Sequence, residues 1–124
     1  MKKILFILLF VFIFSFVFCD EIAYNDQITG TSINTYVEKT VYTVRNIYKS
    51  IIVKNTGGSN SVDYYVRCYP YENGTAYYTF ASGTLTHGSQ ADCFINNVYF
   101  KIVFGIKSTS SGNHSTYSID YIRR

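Results

Sequence analysis

Short runs of alternating apolar and polar residues follow one another along residues 20–124. Val, Ile, Tyr, Phe and Thr dominate these runs, and clusters of Gly, Asn and Ser separate them. The first composition favours β-strands, and the second favours turns. The pattern predicts strands over 20–28, 35–44, 48–55, 61–69, 75–81, 91–95, 98–107 and 115–122. No amphipathic helix of any length is predicted.

The alternation also assigns side chains to opposite faces of these strands, because successive residues of a strand point in opposite directions. In 61–69, one face carries Val62, Tyr64, Val66 and Cys68, and the other carries Asp63, Tyr65, Arg67 and Tyr69. In 98–107, the apolar face carries Val98, Phe100, Ile102, Phe104 and Ile106. An apolar face of this length predicts a central core strand for 98–107.

The number and spacing of the strands favour an all-β fold, an antiparallel immunoglobulin-like β-sandwich of seven to eight strands. A small closed barrel is the alternative. The chain contains no Trp, so the buried Trp of antibody domains is missing. Because a chain of this length builds a single core, residues 20–124 are predicted to form one domain.

Residues 1–19 have a different character from the rest of the chain. An almost unbroken apolar run begins after Lys2 and Lys3 and ends at Cys19, which is typical of an export signal. An uncleaved anchor would need about 20 apolar residues, and a lipid-modified Cys19 would need a small residue in place of Phe18. We therefore predict a cleaved signal peptide over 1–19 and a secreted, extracellular protein. Membrane attachment is expected only through an uncleaved or lipid-modified leader.

The formal net charge of +3 includes the two lysines of the leader, so the remaining chain is nearly neutral. A neutral domain argues against nucleic acid or an anionic membrane as the main partner.

Cys68 and Cys93 remain once the leader is removed. In an oxidising compartment such a pair favours a disulfide, and the alternation points both side chains towards the core. A reactive thiol or a metal ligand would need a neighbouring cation or a further ligand cluster, and the sequence shows neither. We predict a structural Cys68–Cys93 disulfide and no metal or other cofactor.

Asn73 and Asn113 each begin an N-glycosylation acceptor motif, Asn73-Gly74-Thr75 and Asn113-His114-Ser115. Both motifs lie in polar, turn-like stretches that a glycan could reach. The two asparagines are glycosylation candidates in a host that makes N-glycans and turn formers otherwise.

His87 and His114 are the two histidines of the chain. Ser89 and Asp92 follow His87 closely, but no local motif places the three residues together as a nucleophilic triad. We therefore interpret both histidines as turn residues and predict no catalytic site.

Tyrosine is the unusual feature of the composition, with thirteen copies in the chain. Six of them crowd around the turn at 70–74: Tyr64, Tyr65, Tyr69, Tyr71, Tyr77 and Tyr78. Tyrosine on a sheet often covers a neighbouring strand, but rigid amphipathic rings also favour protein or sugar contacts. Tyr65, Tyr69, Tyr71 and Tyr77 are the candidates for an exposed binding face.

The segment 51–58, followed by Val62, Tyr64 and Val66, resembles the strand, Asn-x-Gly turn and strand of adhesion-related (CARDB-like) immunoglobulin-like modules of microbial surface proteins. The segment 85–89 is similar to the Leu-x-x-Gly-x turn of such modules. The resemblance implies a β-sandwich and carries over no catalytic residues.

The functional hypothesis is a secreted or cell-surface, non-catalytic binding or assembly module with an adhesive or extracellular structural role. Its expected partner is a protein or glycan at a cell surface, or a second copy of the chain. The alternatives are a small secreted hydrolase that uses His87 or Asp92 and a membrane-active, toxin-like sandwich.

Overall fold

The computed structural model describes residues 24–43 and 48–123, which form strands and connecting loops. The strands are β1 (Tyr24–Thr31), β2 (Val37–Tyr42), β3 (Lys49–Asn55), β4 (Val62–Tyr69), β5 (Tyr78–Leu85), β6 (Gln90–Ile95), β7 (Lys101–Ser108) and β8 (Thr116–Arg123). Each predicted strand corresponds to one of these elements. The predicted leader, 1–19, lies outside the described residues. Neither described range contains a helix that is long and apolar enough to span a membrane.

The strands form two antiparallel four-stranded sheets, which we name after their central strands. The β3 sheet has the order β1-β8-β3-β6, and the β4 sheet has the order β2-β7-β4-β5. Among the described strands, only β4 and β5 follow each other within one sheet, and every other connection crosses to the opposite sheet. The predicted all-β, antiparallel sandwich is thus confirmed.

The strand order differs from the immunoglobulin-like arrangement that we predicted. An immunoglobulin sandwich keeps its first two strands in one sheet, whereas here β1 and β2 lie in different sheets and β1 pairs with β8. Two interleaved four-stranded sheets of this kind are the arrangement of a jelly roll, which is built from two Greek keys. Alternation along a strand identifies its buried face but does not determine which sheet the strand joins.

The core lies between the two sheets and follows the predicted faces closely. It contains Ile51, Val53, Val62, Val66, Cys68, Leu85, Cys93, Ile95, Ile102, Phe104, Ile106, Tyr117, Ile119 and Tyr121. Two residues of the predicted apolar face lie outside this core: Val98 is 62% exposed and Phe100 is half-buried, and both precede β7, which begins at Lys101.

β5 also begins later than predicted, at Tyr78, and continues to Leu85. Its Ser82-Gly83-Thr84 stretch lies beyond the predicted strand 75–81 and pairs with β4. A register shift in this pairing lies between Val66 and Arg67. β5 is an edge strand without charged residues, and it lies beside β4.

Candidate binding face on the β4 sheet

The outer face of the β4 sheet collects aromatic and cationic side chains. Strand alternation turns Tyr65, Arg67 and Tyr69 of β4 away from the core, as the sequence predicts. On the neighbouring strand β7, Gly105 and Lys101 pair with Tyr65 and Tyr69. Each outward-facing residue of β4 therefore lies beside its paired residue of β7.

Tyr65 occupies the centre of the face and is held from three sides. A Cβ atom at Gly105 would overlap the Tyr65 ring, so the missing side chain at Gly105 is what lets this ring lie flat across β7. The hydroxyl of Tyr65 donates a hydrogen bond to Glu38 of β2, and Tyr36 packs on the ring at a centroid distance of 4.8 Å. Burial, and then the bond to Glu38, raise the pKa of Tyr65 above its ordinary value.

Arg67 lies between two aromatic rings. Its guanidinium carbon is 3.9 Å from the ring centroid of Tyr65 and 4.4 Å from that of Tyr77. Its Nε atom is buried and has no hydrogen-bond partner among the described residues. The two rings therefore hold the guanidinium by cation–π contact, while its Nε–H group makes no hydrogen bond.

The aromatic contacts continue to both ends of the face. Tyr77 packs on Tyr69 at 5.5 Å between centroids, and the Lys101 ammonium lies 4.9 Å from the Tyr69 ring. At the other end, the Lys107 ammonium lies 5.0 Å from the Tyr36 ring. We name this set the tyrosine face: Tyr36, Tyr65, Arg67, Tyr69, Tyr77, Lys101 and Lys107.

The four predicted binding-face tyrosines differ from one another in exposure and in position. Tyr77 is 47% exposed and Tyr69 is half-buried, and both belong to the tyrosine face. Tyr65 belongs to it too but is only 5% exposed, which corrects the expectation that this ring is open to a partner. Tyr71 is 70% exposed beyond the end of β4, where it lies against Gly74, and no ring contact joins it to the face among the described residues.

Four members of the face were not predicted from the sequence: Tyr36, Arg67, Lys101 and Lys107. Alternation had already placed Arg67 between Tyr65 and Tyr69 on one side of β4, so a search for cations beside aromatic residues could have found it. Tyr36 precedes β2 and is far from β4 in sequence, so no short-range pattern indicates its contact with Tyr65.

Cys68 and Cys93 face the core from opposite sheets, as predicted, but the structure records both as free thiols. Burial raises the pKa of Cys68 to about 11 and also raises that of Cys93. Packed sheets lie about 10 Å apart, so a bond between the two sulfurs requires a close local approach of β4 and β6. Because both thiols are free, this structure contains no disulfide, and the Cys68–Cys93 bond stays a prediction for the oxidised protein.

A buried lysine lies in the same part of the core. Lys49 is fully buried, and its ammonium donates a hydrogen bond of 2.9 Å to the carbonyl oxygen of Asn97. Burial lowers the pKa of Lys49, and the neighbouring Cys68 acts in the opposite direction.

The residues of the alternative hydrolase hypothesis are not joined to one another. The Ser89 hydroxyl donates to the carbonyl of Thr86 at 2.7 Å, and Asp92 accepts from the Gln90 amide at 3.0 Å. No hydrogen bond connects His87 to Ser89 or Asp92 within the described ranges.

Among the described residues, His114 and the acidic side chains form no metal-binding group. His114 Nδ1 lies 3.2 Å from the hydroxyl of Ser108. The described residues contain no group of three His, Cys, Asp or Glu side chains that could hold a metal ion.

The two glycosylation candidates are both accessible. Asn73 follows β4 in a turn and Asn113 precedes β8, and both residues are exposed. Their glycosylation stays a prediction.

Comparison with known proteins finds similarity in structure and not in sequence. No protein-family model matches the chain, and no curated protein matches it. Among solved structures, the Yersinia pseudotuberculosis-derived mitogen superposes with a TM-score of 0.50 at 16% identity, over 81% of this chain and 86% of that chain.

Two further structures are similar over most of their length. A protein of Bacillus endospore appendages, which form a family of disulfide-linked pili, gives a TM-score of 0.47 at 16% identity over 82% of this chain and 87% of that chain. The SPBc2 prophage-derived protein YomS gives 0.47 at 16% identity over 82% of this chain and 96% of that chain. At such identities only the mitogen match, with its higher TM-score, bears on the fold, and it bears on nothing else. The chain is an all-β sandwich, and its resemblance to adhesion-related modules has no matching family model.

Proposed function

We propose that the chain is a secreted or cell-surface, non-catalytic binding or assembly module that holds its partner on the tyrosine face. The observation that carries this proposal is the position of Arg67 between the rings of Tyr65 and Tyr77. Tyr69 and Lys101 extend the same aromatic and cationic surface towards the end of β4. The partner is a protein or a glycan at a cell surface, or a second copy of the chain.

The composition and rigidity of the tyrosine face support a binding role. Tyrosine and arginine are enriched among the residues that contribute most to binding energies. The ring contacts hold Arg67 and Tyr77 in place before any partner arrives, so less side-chain entropy is lost on binding. The buried Tyr65 provides the floor on which Arg67 rests, while Tyr77 and the half-buried Tyr69 are open to a partner.

The extracellular part of the proposal depends on the sequence. Residues 1–19 have the charged head and apolar body of an export signal. The resemblance of 51–58 and 85–89 to adhesion-related modules agrees with a role at a cell surface. Glycans at Asn73 or Asn113 would be compatible with this location, since both residues are exposed.

The test uses protein secreted after expression of the whole chain. Its binding to cells of the producing species is measured by flow cytometry for the unaltered protein, Tyr77→Ser and the matched control Tyr48→Ser. Tyr48 is a similarly exposed tyrosine that immediately precedes β3. We expect Tyr77→Ser to lose at least about five-fold in affinity, which corresponds to about 1 kcal/mol, and Tyr48→Ser to be unaffected.

Equal binding of all three proteins would overturn the assignment of the tyrosine face. The two alternative functions have their own readouts in the same preparation. Hydrolysis that disappears in a His87→Ala variant would favour the hydrolase, and dye release from lipid vesicles would favour the membrane-active sandwich.

A further inference from the structure

We propose that Arg67 is a receptor for a carboxylate and that the tyrosine face takes an acidic sugar of the uronic-acid type. This inference rests on the proposed function, because it names the ligand class of the same surface. The structural feature behind it is a guanidinium that two rings hold in place while its two Nη groups make no hydrogen bond among the described residues.

The first step concerns the geometry of the guanidinium. Arginine binds a carboxylate through two parallel N–H donors that lie in its plane. The rings of Tyr65 and Tyr77 contact the guanidinium of Arg67, and its two Nη groups make no hydrogen bond among the described residues. The Nε atom is buried and out of reach of a ligand, so a carboxylate would bind the two Nη groups, which are neither buried nor hydrogen-bonded in the described chain.

The second step concerns the chain's own acids on this face, which are already engaged. Glu38 accepts the hydroxyl proton of Tyr65 in a hydrogen bond. Asp63 accepts from Thr84 at 2.6 Å and lies 3.8 Å from the Lys107 ammonium. No ion pair links either carboxylate to Arg67 within the described chain. Neither acid is therefore paired with Arg67, and its guanidinium stays available to a carboxylate of a ligand.

The third step concerns the surroundings of Arg67. Tyr69 and Tyr77 lie beside it, and the planes of their two rings are tilted by 47° to each other. Lys101, over the Tyr69 ring, supplies an ammonium whose other contact is a 2.9 Å hydrogen bond to the carbonyl of Glu72. An apolar C–H face of a sugar can pack on a tyrosine ring while its hydroxyls bond to the ammonium.

The backbone of β4 favours a sugar over an acidic peptide. β4 pairs with β5 on one side and with β7 on the other, so its N–H and C=O groups are used within the sheet. A peptide lying on this face would find side chains but few partners for its own backbone. A sugar has no amide backbone to satisfy, and its hydroxyls serve as both donors and acceptors.

The experiment is a titration of the whole secreted chain, followed by NMR or calorimetry, with glucuronate, glucose and acetate as probes. We expect glucuronate to bind at least ten-fold more tightly than either glucose or acetate. Arg67→Lys, which keeps the charge but loses the planar pair of donors, is expected to weaken glucuronate at least ten-fold. The matched control Lys54→Gln, which removes a cation from the opposite sheet, is expected to bind glucuronate normally.

Several results would overturn the inference. Equal affinity for glucuronate and glucose would show that the carboxylate does not contribute to binding. Equal affinity for glucuronate and acetate would show that the sugar ring does not contribute. Unchanged binding by a folded Arg67→Lys variant would exclude Arg67 as the carboxylate receptor. A short acidic peptide that binds more tightly than glucuronate would replace the sugar with a protein ligand.

The outcomes also separate this inference from the proposed function. If Tyr77→Ser loses cell binding while glucuronate neither binds nor competes, the tyrosine face stays a binding face and the acidic sugar is wrong. If glucuronate binds through Arg67 while Tyr77→Ser binds cells normally, the carboxylate receptor stands and the cell-surface role of the face is wrong.

Discussion

Tyr65 reaches across β7 to donate a hydrogen bond to Glu38, although the two residues are 27 positions apart in sequence. The strand register explains how: Tyr65 and Glu38 both pair with Gly105, from the two sides of β7. The ring can span the central strand because Gly105 offers no side chain in its way. This arrangement builds the floor of the tyrosine face from three strands.

The first prediction concerns that floor. Gly105→Ala would place a methyl group in the space of the Tyr65 ring, so the ring or the strand must move. We expect the free energy of unfolding to fall by about 1 to 3 kcal/mol, as for other overpacked sites. Urea denaturation measures the change.

Gly83→Ala is the matched control, because Gly83 also lies on a strand paired with β4. The nearest atom of Tyr64 would be 3.5 Å from its new Cβ, which is an ordinary contact. We expect a change within about 0.5 kcal/mol. Equal losses in both variants would show that glycine itself, and not the crossing of Tyr65, matters at position 105.

The second prediction separates the two tyrosines that sandwich Arg67. Tyr65→Ser removes a buried ring and leaves a space, so it should lower both the stability, by about 3 kcal/mol or more, and the binding. Tyr77→Ser removes a half-exposed ring and should lower binding while its stability changes by well under 1 kcal/mol. Thermal melts beside cell-binding curves distinguish the two. If Tyr77→Ser melts early and binds normally, its ring serves the fold and not a partner.

The division of roles between Tyr65 and Tyr77 shows how far the sequence leads. Alternation correctly places Tyr65, Arg67 and Tyr69 on one side of β4, because the two-residue period of a strand is a local property. It predicts an exposed ring for Tyr65, and this is wrong. The burial of Tyr65 depends on Tyr36 and Gly105, which reach it only through the pairing of distant strands.

The same limit applies to the fold. The sequence predicts eight strands and a sandwich, since strand-forming runs and turn residues are visible one element at a time. It does not predict that β1 pairs with β8 and that β3 lies between β8 and β6, because those pairings join segments far apart in the chain. An immunoglobulin sandwich and a jelly roll can therefore have similar patterns along the sequence.

The third prediction concerns alkaline pH and the reduced protein. Burial raises the pKa of Cys68 to about 11 and that of Tyr121 to about 12. The folded state thus holds these protons more tightly than the unfolded chain, in which the values are about 8.5 and about 10. Their contribution to stability is complete below the unfolded values and is lost as the pH rises through the folded ones.

We therefore expect the free energy of unfolding to fall between about pH 9 and pH 12, as measured by urea denaturation at several pH values. Lys49 acts in the opposite sense, since its lowered pKa means that it stabilises the fold more as the pH rises towards its unfolded value. Cys68→Ala should flatten the lower half of the decline. An unchanged pH profile in Cys68→Ala would exclude this thiol as a cause.

The fourth prediction concerns the hydroxyl of Tyr121. This oxygen is buried and has no hydrogen-bond partner among the described residues, while the ring packs on Phe104 at 6.5 Å between centroids. Tyr121→Phe keeps the ring and removes the unpaired polar group, so we expect a gain of about 1 kcal/mol in the free energy of unfolding at neutral pH. Phe104→Ala, which leaves a cavity beside the same ring, should lose about 3 to 5 kcal/mol. A destabilised Tyr121→Phe variant would reveal a partner for this hydroxyl.

The fifth prediction concerns the two thiols of the core. Cys68 and Cys93 are both buried on facing sheets, and a protein exported behind the leader 1–19 would meet an oxidising environment. We expect the secreted protein to bind no alkylating reagent when it is unfolded without reductant, and to bind it at both cysteines after reduction. Reduction should lower the free energy of unfolding by about 3 kcal/mol, because the bond restricts the unfolded chain. Two alkylated cysteines without reductant would show that the thiols stay free, as in this structure, and that sheet packing alone holds β4 and β6 together.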